Sequence, residues 1–452
     1  MQAGASEPLR RDGLLALFAA PGDGRERIGL EVESAVVDPI TGLAAPYAGR
    51  GGVRDLLRAV ATEFGGEELR DGELLTAIRT PSGMIVSLEH GGAIEYSSAP
   101  TDDLATAVED LRRAMEHLAD LARGFGLAIV PGGNVPFNRI ENAAWVPKPR
   151  GALMRRYFGG LGEAGEWGPT VMALALSTQT TLDYTSDSDL AEKVRMQVAA
   201  SPVVAGMFVN SPLEGGAPAG VLSRRCQCWL RTDARRCGVL PTGVREKMTP
   251  ADFVEWALGV PMIYRRTADG CFRLVGDRSF GSLLDRGFPD GTRPTWDDWT
   301  SHLSQVWTDV RVRRTLELRA ADGPPYPHIP AVPALWVGLT YHRPSRLAAW
   351  DLLREHSVDA LRRTAAEVPA KGLAARLGDV PVRELGRELL RLARQGLAAR
   401  VAAGAERAVV LEYLDPVEEI LETGTTFADR VLRRWDGEFG RDPARYVAAY
   451  RV

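Results

Sequence analysis

The segment spanning residues 311–323 alternates polar and apolar residues, and this alternation constrains the fold more than any other feature of the sequence. Glu317 and Arg319 occupy every second position, with Leu316 and Leu318 at the positions next to Glu317. Successive side chains of a β-strand point to opposite faces of the sheet. A carboxylate can hold a metal ion, and an arginine can bind phosphate oxygens. The pattern therefore predicts a strand with one apolar face and one face that belongs to a functional site.

Two further segments carry paired glutamates in strand-like surroundings. Glu31 and Glu33 alternate with apolar residues and would lie on one face, roughly 7 Å apart at the usual rise of a strand. Glu89 and Glu95 flank two glycines, which permit a tight turn or the close approach of a ligand. A solvated sheet face or a plain hairpin would explain either pair alone. Together with Glu317, the five carboxylates predict one shared site for a polyvalent cation, because clustered carboxylates repel one another unless a cation neutralises them.

The expected cation is Mg²⁺, with Mn²⁺ as the alternative, because these ions take oxygen ligands and Mg²⁺ typically binds together with substrate phosphates. Zinc fits less well, since the six histidines are scattered and no His-Glu-x-x-His occurs. Cys226, Cys228 and Cys237 lack the spacing of a zinc finger, and we interpret them as core thiols or a redox-sensitive pair. The sequence has no Gly-x-x-x-x-Gly-Lys-Ser/Thr loop. Phosphate, if it is bound, is therefore expected to contact Mg²⁺ and arginines.

Composition places the chain among globular proteins and excludes several partners. The 452 residues are 45% hydrophobic and 25% charged, with a net charge of −4. This charge gives no basic footprint for nucleic acid, and no apolar run approaches the roughly 20 residues that span a bilayer. The first residues lack the pattern of a signal peptide. We expect a cytoplasmic protein that binds neither nucleic acid nor membrane, and its state as monomer or homodimer stays open.

No repeat or low-complexity linker divides the chain, so we predict a single α+β catalytic domain over residues 1–452. Strands are expected at 26–38, 84–97, 127–131 and 172–184, and helices at 103–125 and 188–200. The segment 350–403 is strongly helical in pattern, with leucines at 385, 389, 392 and 397 on one stripe. A helical C-terminal part, from about residue 350 to 452, is therefore expected to pack against the catalytic body.

A polar region within residues 208–241 adds candidates for substrate binding. Asn210, Arg225 and Trp229 lie here in an otherwise apolar context. The guanidinium of Arg225 can pair with a substrate carboxylate through two parallel hydrogen bonds. The alternative is a surface loop in an arginine-rich chain, and that alternative is expected to hold for most of the arginines in this region.

Several motifs occur in a fixed order along essentially the whole chain. They are Gly29-x-Glu31-x-Glu33, Leu88-Glu-x-Gly-Gly-x-x-Glu95, Gln179-x-x-Leu-Asp183, Asn210-Ser-Pro212, Ser223-x-Arg225-x-x-x-Trp229 and Glu317-x-Arg319-x-x-Asp322-Gly323. This ordered set resembles the glutamate–cysteine ligases of the plant and proteobacterial type. The resemblance implies a curved antiparallel sheet forming a funnel, of the glutamine synthetase and guanidino kinase type, with packed helices. It also implies ATP, Mg²⁺ and glutamate as ligands.

The resemblance suggests a role for each motif residue. Glu317, with the other four glutamates, is expected to bind Mg²⁺, and Arg319 is expected to stabilise the transferred phosphoryl group. Arg225, with Gln179 and Asn210, is expected to orient glutamate. Asp322 is expected to position a loop or Arg319 rather than to act as a base.

Two departures from the family pattern concern the amine acceptor. The family strand usually reads Val-Gln-Val-Asn-Leu-Asp, whereas here Thr181 replaces the asparagine, and Cys226 and Cys228 follow Arg225. We therefore predict that Thr181 and the segment 226–229 set the choice of acceptor. The predicted activity is ATP-dependent γ-glutamyl ligation through γ-glutamyl phosphate, with cysteine as the leading acceptor. The alternatives are the same chemistry on a small nonproteinogenic amino acid, such as an alkynyl one, and a non-catalytic ligand-binding homologue.

Overall fold

The structure, a computed structural model, describes residues 9–20, 23–245 and 248–452. Its strands are β1 Ile28–Val37, β2 Glu67–Asp71, β3 Leu74–Arg79, β4 Ile85–Leu88, β5 Ile94–Ser97, β6 Ala128–Pro131, β7 Thr178–Leu182, β8 Leu213–Glu214, β9 Ala217–Pro218, β10 Cys237–Gly238, β11 Tyr264–Arg266, β12 Phe272–Leu274, β13 Trp307–Thr308, β14 Val310–Val312, β15 Leu316–Leu318, β16 Arg376–Leu377 and β17 Val380–Pro381.

Sixteen α-helices surround these strands in the described part of the chain. They are α1 Val53–Phe64, α2 Leu104–Gly124, α3 Pro149–Gly160, α4 Gly168–Leu174, α5 Asp187–Met207, α6 Arg224–Trp229, α7 Pro250–Gly259, α8 Phe280–Arg286, α9 Trp296–Ser304, α10 Ala331–Tyr341, α11 Arg343–Leu353, α12 Val358–Lys371, α13 Val382–Ala402, α14 Asp415–Thr423, α15 Phe427–Asp436 and α16 Pro443–Tyr450. Short 3-10 helices occupy Asp12–Phe18, Ile140–Asn142, Gly162–Gly165, Tyr326–His328, Gly372–Ala374 and Ala408–Leu414.

Nine strands form one sheet, in which all neighbouring strands run antiparallel. The order is β14-β15-β7-β1-β5-β4-β3-β2, and β6 also pairs with β1. The first half of β1 pairs with β7, and its last four residues pair with β6. β1 therefore lies at the centre of the sheet and brings together segments that are distant in sequence. The predicted α+β class with an antiparallel sheet is confirmed.

The residue pattern of β1 explains which parts of the sheet are covered. Leu30 and Val32 are buried in the main core, while Glu31 and Glu33 between them remain partly exposed. Further along the strand both faces are buried. Val37 packs in a second cluster that includes residues of β6, α15 and α16. Only the first half of β1 therefore leaves a polar face open for chemistry.

The helical C-terminal part packs tightly through glycines. A Cβ atom on Gly396 of α13 would lie 1.9 Å from the carbonyl oxygen of Gly338 in α10, and one on Gly338 would lie 2.2 Å from the oxygen of Ala393. Only glycine permits this approach of the two helices. The predicted leucine stripe of α13 is buried, at Leu385, Leu389, Leu392 and Leu397.

Most predicted elements are confirmed, including the helix that begins after Asp103, whose side chain accepts a hydrogen bond from the Thr106 amide. The prediction of a strand over 172–184 is partly wrong. The first residues of this range belong to α4, and the observed strand β7 covers Thr178–Leu182. A short apolar run cannot distinguish a buried strand from a buried helix by periodicity. The segment 350–403 is helical but is interrupted by the hairpin β16–β17. None of the helices in the described part is long and apolar enough to cross a membrane.

Candidate active site

The register of the central strands places the motif residues on one face of the sheet. Glu33 of β1 lies opposite Glu95 of β5, and Glu31 lies opposite Gln179 of β7. Glu317 of β15 lies opposite Thr181 on the other side of β7. Directly opposed residues of an antiparallel pair lie on the same face. Four strands that are distant in sequence thus contribute to a single polar surface.

Three carboxylates of this surface form a compact cluster. Glu33, Glu89 and Glu95 each offer an oxygen, and these oxygens lie within 4.8 Å of one another. Gly91 allows the turn after Glu89 to approach α4, since a Cβ atom there would lie 1.8 Å from the oxygen of Ala173. Burial and the charge of Glu89 raise the pKa of Glu33 to about 7 and that of Glu95 to about 8. A close set of oxygen donors that resists ionisation without a countercharge fits a hard divalent cation such as Mg²⁺.

Glu317 has a different environment from the three clustered acids. Its carboxylate accepts hydrogen bonds from Arg311, at 2.5–2.8 Å, and from Arg319 at 2.5 Å. Although its burial opposes ionisation, the charges of Arg311, Arg319 and Arg313 lower the pKa of Glu317 to about 2. Burial, Glu317 and Glu95 together raise the pKa of Glu31. Glu31 and Glu317 therefore form a second acidic pair beside the cluster, and this pair is balanced by arginines.

Gln179 links the two groups of acids. Arg319 donates from Nη1 to the Gln179 side-chain oxygen at 2.6 Å. The side-chain amide nitrogen of Gln179, Nε2, donates to the Glu33 carboxylate at 3.3 Å and to the Ser177 hydroxyl at 3.1 Å. Ser177 in turn donates to Glu33 at 2.9 Å. The Arg319 guanidinium is therefore fixed from two sides, by Glu317 and by Gln179, next to the acidic cluster.

Asp322 organises the loops at one end of the site. Its buried carboxylate accepts hydrogen bonds from the backbone N–H of Asn210 at 2.8 Å, the Ser211 hydroxyl at 2.8 Å and the Ser223 hydroxyl at 3.0 Å. The Arg225 guanidinium lies 3.7 Å from this carboxylate. Burial raises the pKa of Asp322, and Arg225 opposes that shift. These contacts connect the loop before β8, the start of α6 and the end of the 311–323 segment.

The other residues predicted to bind substrate at this end are held largely by the backbone. Arg225 donates to the carbonyl oxygens of Arg319 at 2.6 Å and Ala320 at 3.4 Å. Asn210 donates to the Gly323 oxygen at 2.7 Å, and its own side-chain oxygen is buried without a partner among the described residues. Trp229 is partly buried, with its ring 6.2 Å from that of Trp307.

Thr181 lies away from this end. Ser177 pairs with Asp322, whereas Thr181 pairs with Gly29 and Glu317. Four residues of a strand span roughly 13 Å. The two departures that were expected to act on one acceptor pocket, Thr181 and the segment 226–229, therefore belong to opposite ends of the site.

Three basic side chains of this site, Arg311, Arg313 and Lys148, have no role in the predictions made from the sequence. Arg311 and Arg313 precede Glu317 and alternate with valines, so the same strand pattern that identified Glu317 also marked them. Lys148 is 8% exposed and donates to the Leu88 oxygen. Its burial lowers its pKa, whereas the charge of nearby Glu89 raises it. Lys148 carried no local signal, because only tertiary contacts bring its loop beside the acidic cluster.

Comparison with solved structures supports the fold described above. A glutamate–cysteine ligase from Francisella tularensis in complex with AMP superposes with a TM-score of 0.55 over 94% of this chain and 88% of that one, at 10% identity. A bifunctional glutathione synthetase from Pasteurella multocida superposes with a TM-score of 0.51 over 97% of this chain and 52% of that one, at 14% identity. At these identities the likeness shows the fold alone.

Comparison of sequences identifies the family. Residues 27–445 match the model of glutamate-cysteine ligase family 2. The chloroplastic glutamate–cysteine ligases of Arabidopsis thaliana and Nicotiana tabacum are 31% and 30% identical, each over 441 residues that cover 97% of this chain and 82% of the relative. The chain belongs to glutamate-cysteine ligase family 2 and is an ATP-dependent ligase.

Proposed function

We propose that this enzyme joins the γ-carboxylate of glutamate to the α-amine of cysteine, with conversion of ATP to ADP and phosphate. The observation that carries the proposal is the position of the Glu33–Glu89–Glu95 cluster next to Arg319, which Gln179 and Glu317 hold in place. The names of the relatives support glutamate and cysteine as substrates.

The chemistry explains why such a site is needed. A carboxylate is a poor electrophile, because oxide is a poor leaving group, whereas an acyl phosphate releases phosphate readily. Phosphoryl transfer requires alignment and neutralisation of charge more than covalent participation by the protein. Mg²⁺ bound by Glu33, Glu89 and Glu95, with Glu31 and Glu317 close by, would supply part of that neutralisation.

The protein's own residues supply the remainder. Arg319 faces the place where negative charge develops on the transferred phosphoryl group, and its fixed guanidinium needs no reorganisation during the reaction. Glutamate is bound from the Asp322 end, where Arg225 still has donors available, since a guanidinium carries five N–H groups and two are used by backbone carbonyls. Asn210, with its unpartnered oxygen, offers an acceptor for the glutamate amine.

The second step joins the two amino acids. The α-amine of the acceptor attacks the γ-carbonyl carbon of glutamyl phosphate, the bond from that carbon to the phosphate oxygen breaks, and the nitrogen loses a proton. Cys226 and Trp229 lie beside Arg225 in α6 and are the side chains that we assign to acceptor recognition. The acceptor amine approaches from the same end as glutamate, because both substrates must reach the same carbonyl carbon.

Phosphate release tests the proposal directly. Release should require both ATP and glutamate, should increase on addition of cysteine, and should give γ-glutamylcysteine by mass spectrometry. Glu89→Gln should abolish the reaction, whereas Glu63→Gln, an exposed glutamate at the end of α1, should leave it unchanged. A folded protein that releases no phosphate with any amino acid would refute the proposal. A preference for a small alkynyl or alkyl amino acid over cysteine would keep the chemistry and change the acceptor.

A further inference from the structure

One acidic side chain at the Asp322 end of the site has no role in the function proposed so far. Asp309 lies between β13 and β14 and is partly exposed. Its backbone oxygen accepts a hydrogen bond from the N–H of Arg319 at 2.9 Å, which extends the antiparallel pairing of Val310 with Leu318 by one residue. Directly opposed residues of an antiparallel pair lie on the same face. The pairing therefore places Asp309 on the face of the sheet that carries Arg319.

The carboxyl group of Asp309 lies among charged groups but is bonded to none of them. Burial raises the pKa of Asp309 to about 6, although the charges of Arg225 and Arg319 oppose the shift. Burial also raises the pKa of the Cys226 and Cys237 thiols, and the charge of Asp309 adds to both shifts. In the described part of the chain this carboxyl group forms no hydrogen bond and no ion pair. It therefore lies between α6 and Arg319, with its oxygens available to a ligand.

The other aspartate at this end of the site has no such freedom. Asp322 is buried and already accepts hydrogen bonds from the backbone N–H of Asn210 and from the hydroxyls of Ser211 and Ser223. Asp309 lacks donors of this kind, and a partly buried carboxylate without a donor is unfavourable unless a ligand supplies one. A ligand cation that enters at this end would therefore pair with Asp309 rather than with Asp322.

The second step of ligation brings such a cation to this place. The α-amine of an amino acid is mostly an ammonium ion at neutral pH, and it has no lone pair for attack until it loses a proton. The side chains assigned to the acceptor, Cys226 and Trp229, lie in α6, whereas the phosphoryl group lies beside Arg319. An acceptor amine that attacks from α6 toward Arg319 must pass Asp309. A general base works best when its pKa lies near the working pH, as that of Asp309 does.

On the basis of the function proposed above, we infer that Asp309 binds the α-ammonium group of the acceptor amino acid and removes one proton from it. The carboxylate becomes a carboxylic acid, and the neutral amine attacks the γ-carbonyl carbon of glutamyl phosphate. The C–N bond forms, and the bond from that carbon to the phosphate oxygen breaks with its electron pair on the oxygen. The leaving phosphate takes the second proton from the nitrogen, and Asp309 returns its proton to solvent after the product leaves.

Two acceptors that differ in protonation test this role. Cysteine enters as an ammonium ion, whereas hydroxylamine is mostly unprotonated at neutral pH and converts an activated glutamyl group to a hydroxamate without a base. Asp309→Asn should lower kcat/KM for cysteine by about 100-fold or more, the contribution of a positioned general base, and should leave the rate of hydroxamate formation near that of the wild type. Asp309→Glu keeps the carboxylate and should recover part of the loss. Asp297→Asn, at an exposed aspartate in the first turn of α9, is the matched control and should behave as the wild type.

A second neutral variant, Asp309→Ser, should fold and show the same difference between the two acceptors, because the carboxyl group has no bonded partner in the described part of the chain. Equal losses with cysteine and hydroxylamine, or wild-type turnover of cysteine, would overturn the inference. Loss of folding in both neutral variants would also overturn it, since Asp309 would then have a structural role. Each of these results, with hydroxamate formed by the wild type, would refute only this inference. A wild-type protein that forms no hydroxamate from ATP, glutamate and hydroxylamine would instead refute the proposed function.

Discussion

Replacement of Glu317 by glutamine tests the electrostatic centre of the site. The side chain is 5% exposed and accepts four hydrogen bonds of 2.5–2.8 Å from Arg311 and Arg319. A pair of unit charges about 4 Å apart interacts by about 4 kcal/mol at an effective dielectric constant of about 20. Removal of one partner from a buried pair costs about 3–5 kcal/mol in stability, because the remaining charge is left uncompensated. We therefore expect Glu317→Gln to reduce the free energy of unfolding by about 3 kcal/mol.

The same substitution should also reduce ligation by about 100-fold or more, since Arg319 loses its fixed orientation and the acidic pair loses a charge. Urea unfolding and initial rates of phosphate release measure the two effects separately. Glu68→Gln is the matched control: Glu68 pairs with Arg70 on an exposed strand of the same sheet, where such a pair is worth about 0–1 kcal/mol. A Glu317→Gln variant with both the wild-type free energy of unfolding and the wild-type rate would refute this role of Glu317.

Further outcomes are expected at the Asp322 end of the site and at the acidic cluster. Arg225→Lys should raise the KM for glutamate by about tenfold and that for ATP much less, because lysine lacks the planar fork that matches a carboxylate; an effect on ATP alone would contradict this role. Asp322→Ala should lower the free energy of unfolding by about 2–4 kcal/mol in urea, because it leaves several buried donors unpaired; a wild-type value would show that these contacts are not stabilising. Burial and mutual repulsion raise the pKa of Glu33 to about 7 and that of Glu95 to about 8, above the ordinary value of 4.5, so the metal-free folded protein holds protons that the unfolded chain has released. Its stability should therefore fall as pH rises from about 4.5 to about 8, and the increase in Tm on adding Mg²⁺ should be larger at about pH 8.5 than at about pH 6; an equal increase at both values would argue against metal binding by these acids.

The sequence alone determined which faces of the strands carry the chemistry. A period of two is a local property, so Glu31 with Glu33, and Glu317 with Arg319, could be assigned to one face each without knowledge of their neighbours. Helix starts were equally local: the Ser186 side chain caps α5 by accepting from the Asp189 amide within the same few residues.

The tertiary structure decided how these faces meet. Hydrogen bonding between distant strands sets the register, and register decides that Glu95 opposes Glu33 and that Thr181 opposes Gly29. The separation of Thr181 from Arg225 could not be predicted from the sequence, because it depends on tertiary contacts. Asp322, which follows β15, pairs with Ser177 just before β7 and lies 3.7 Å from the Arg225 guanidinium. The five glutamates divide into a cluster of three and a pair held by arginines for the same reason: local pattern selects a face, while pairing between strands selects the neighbours on that face.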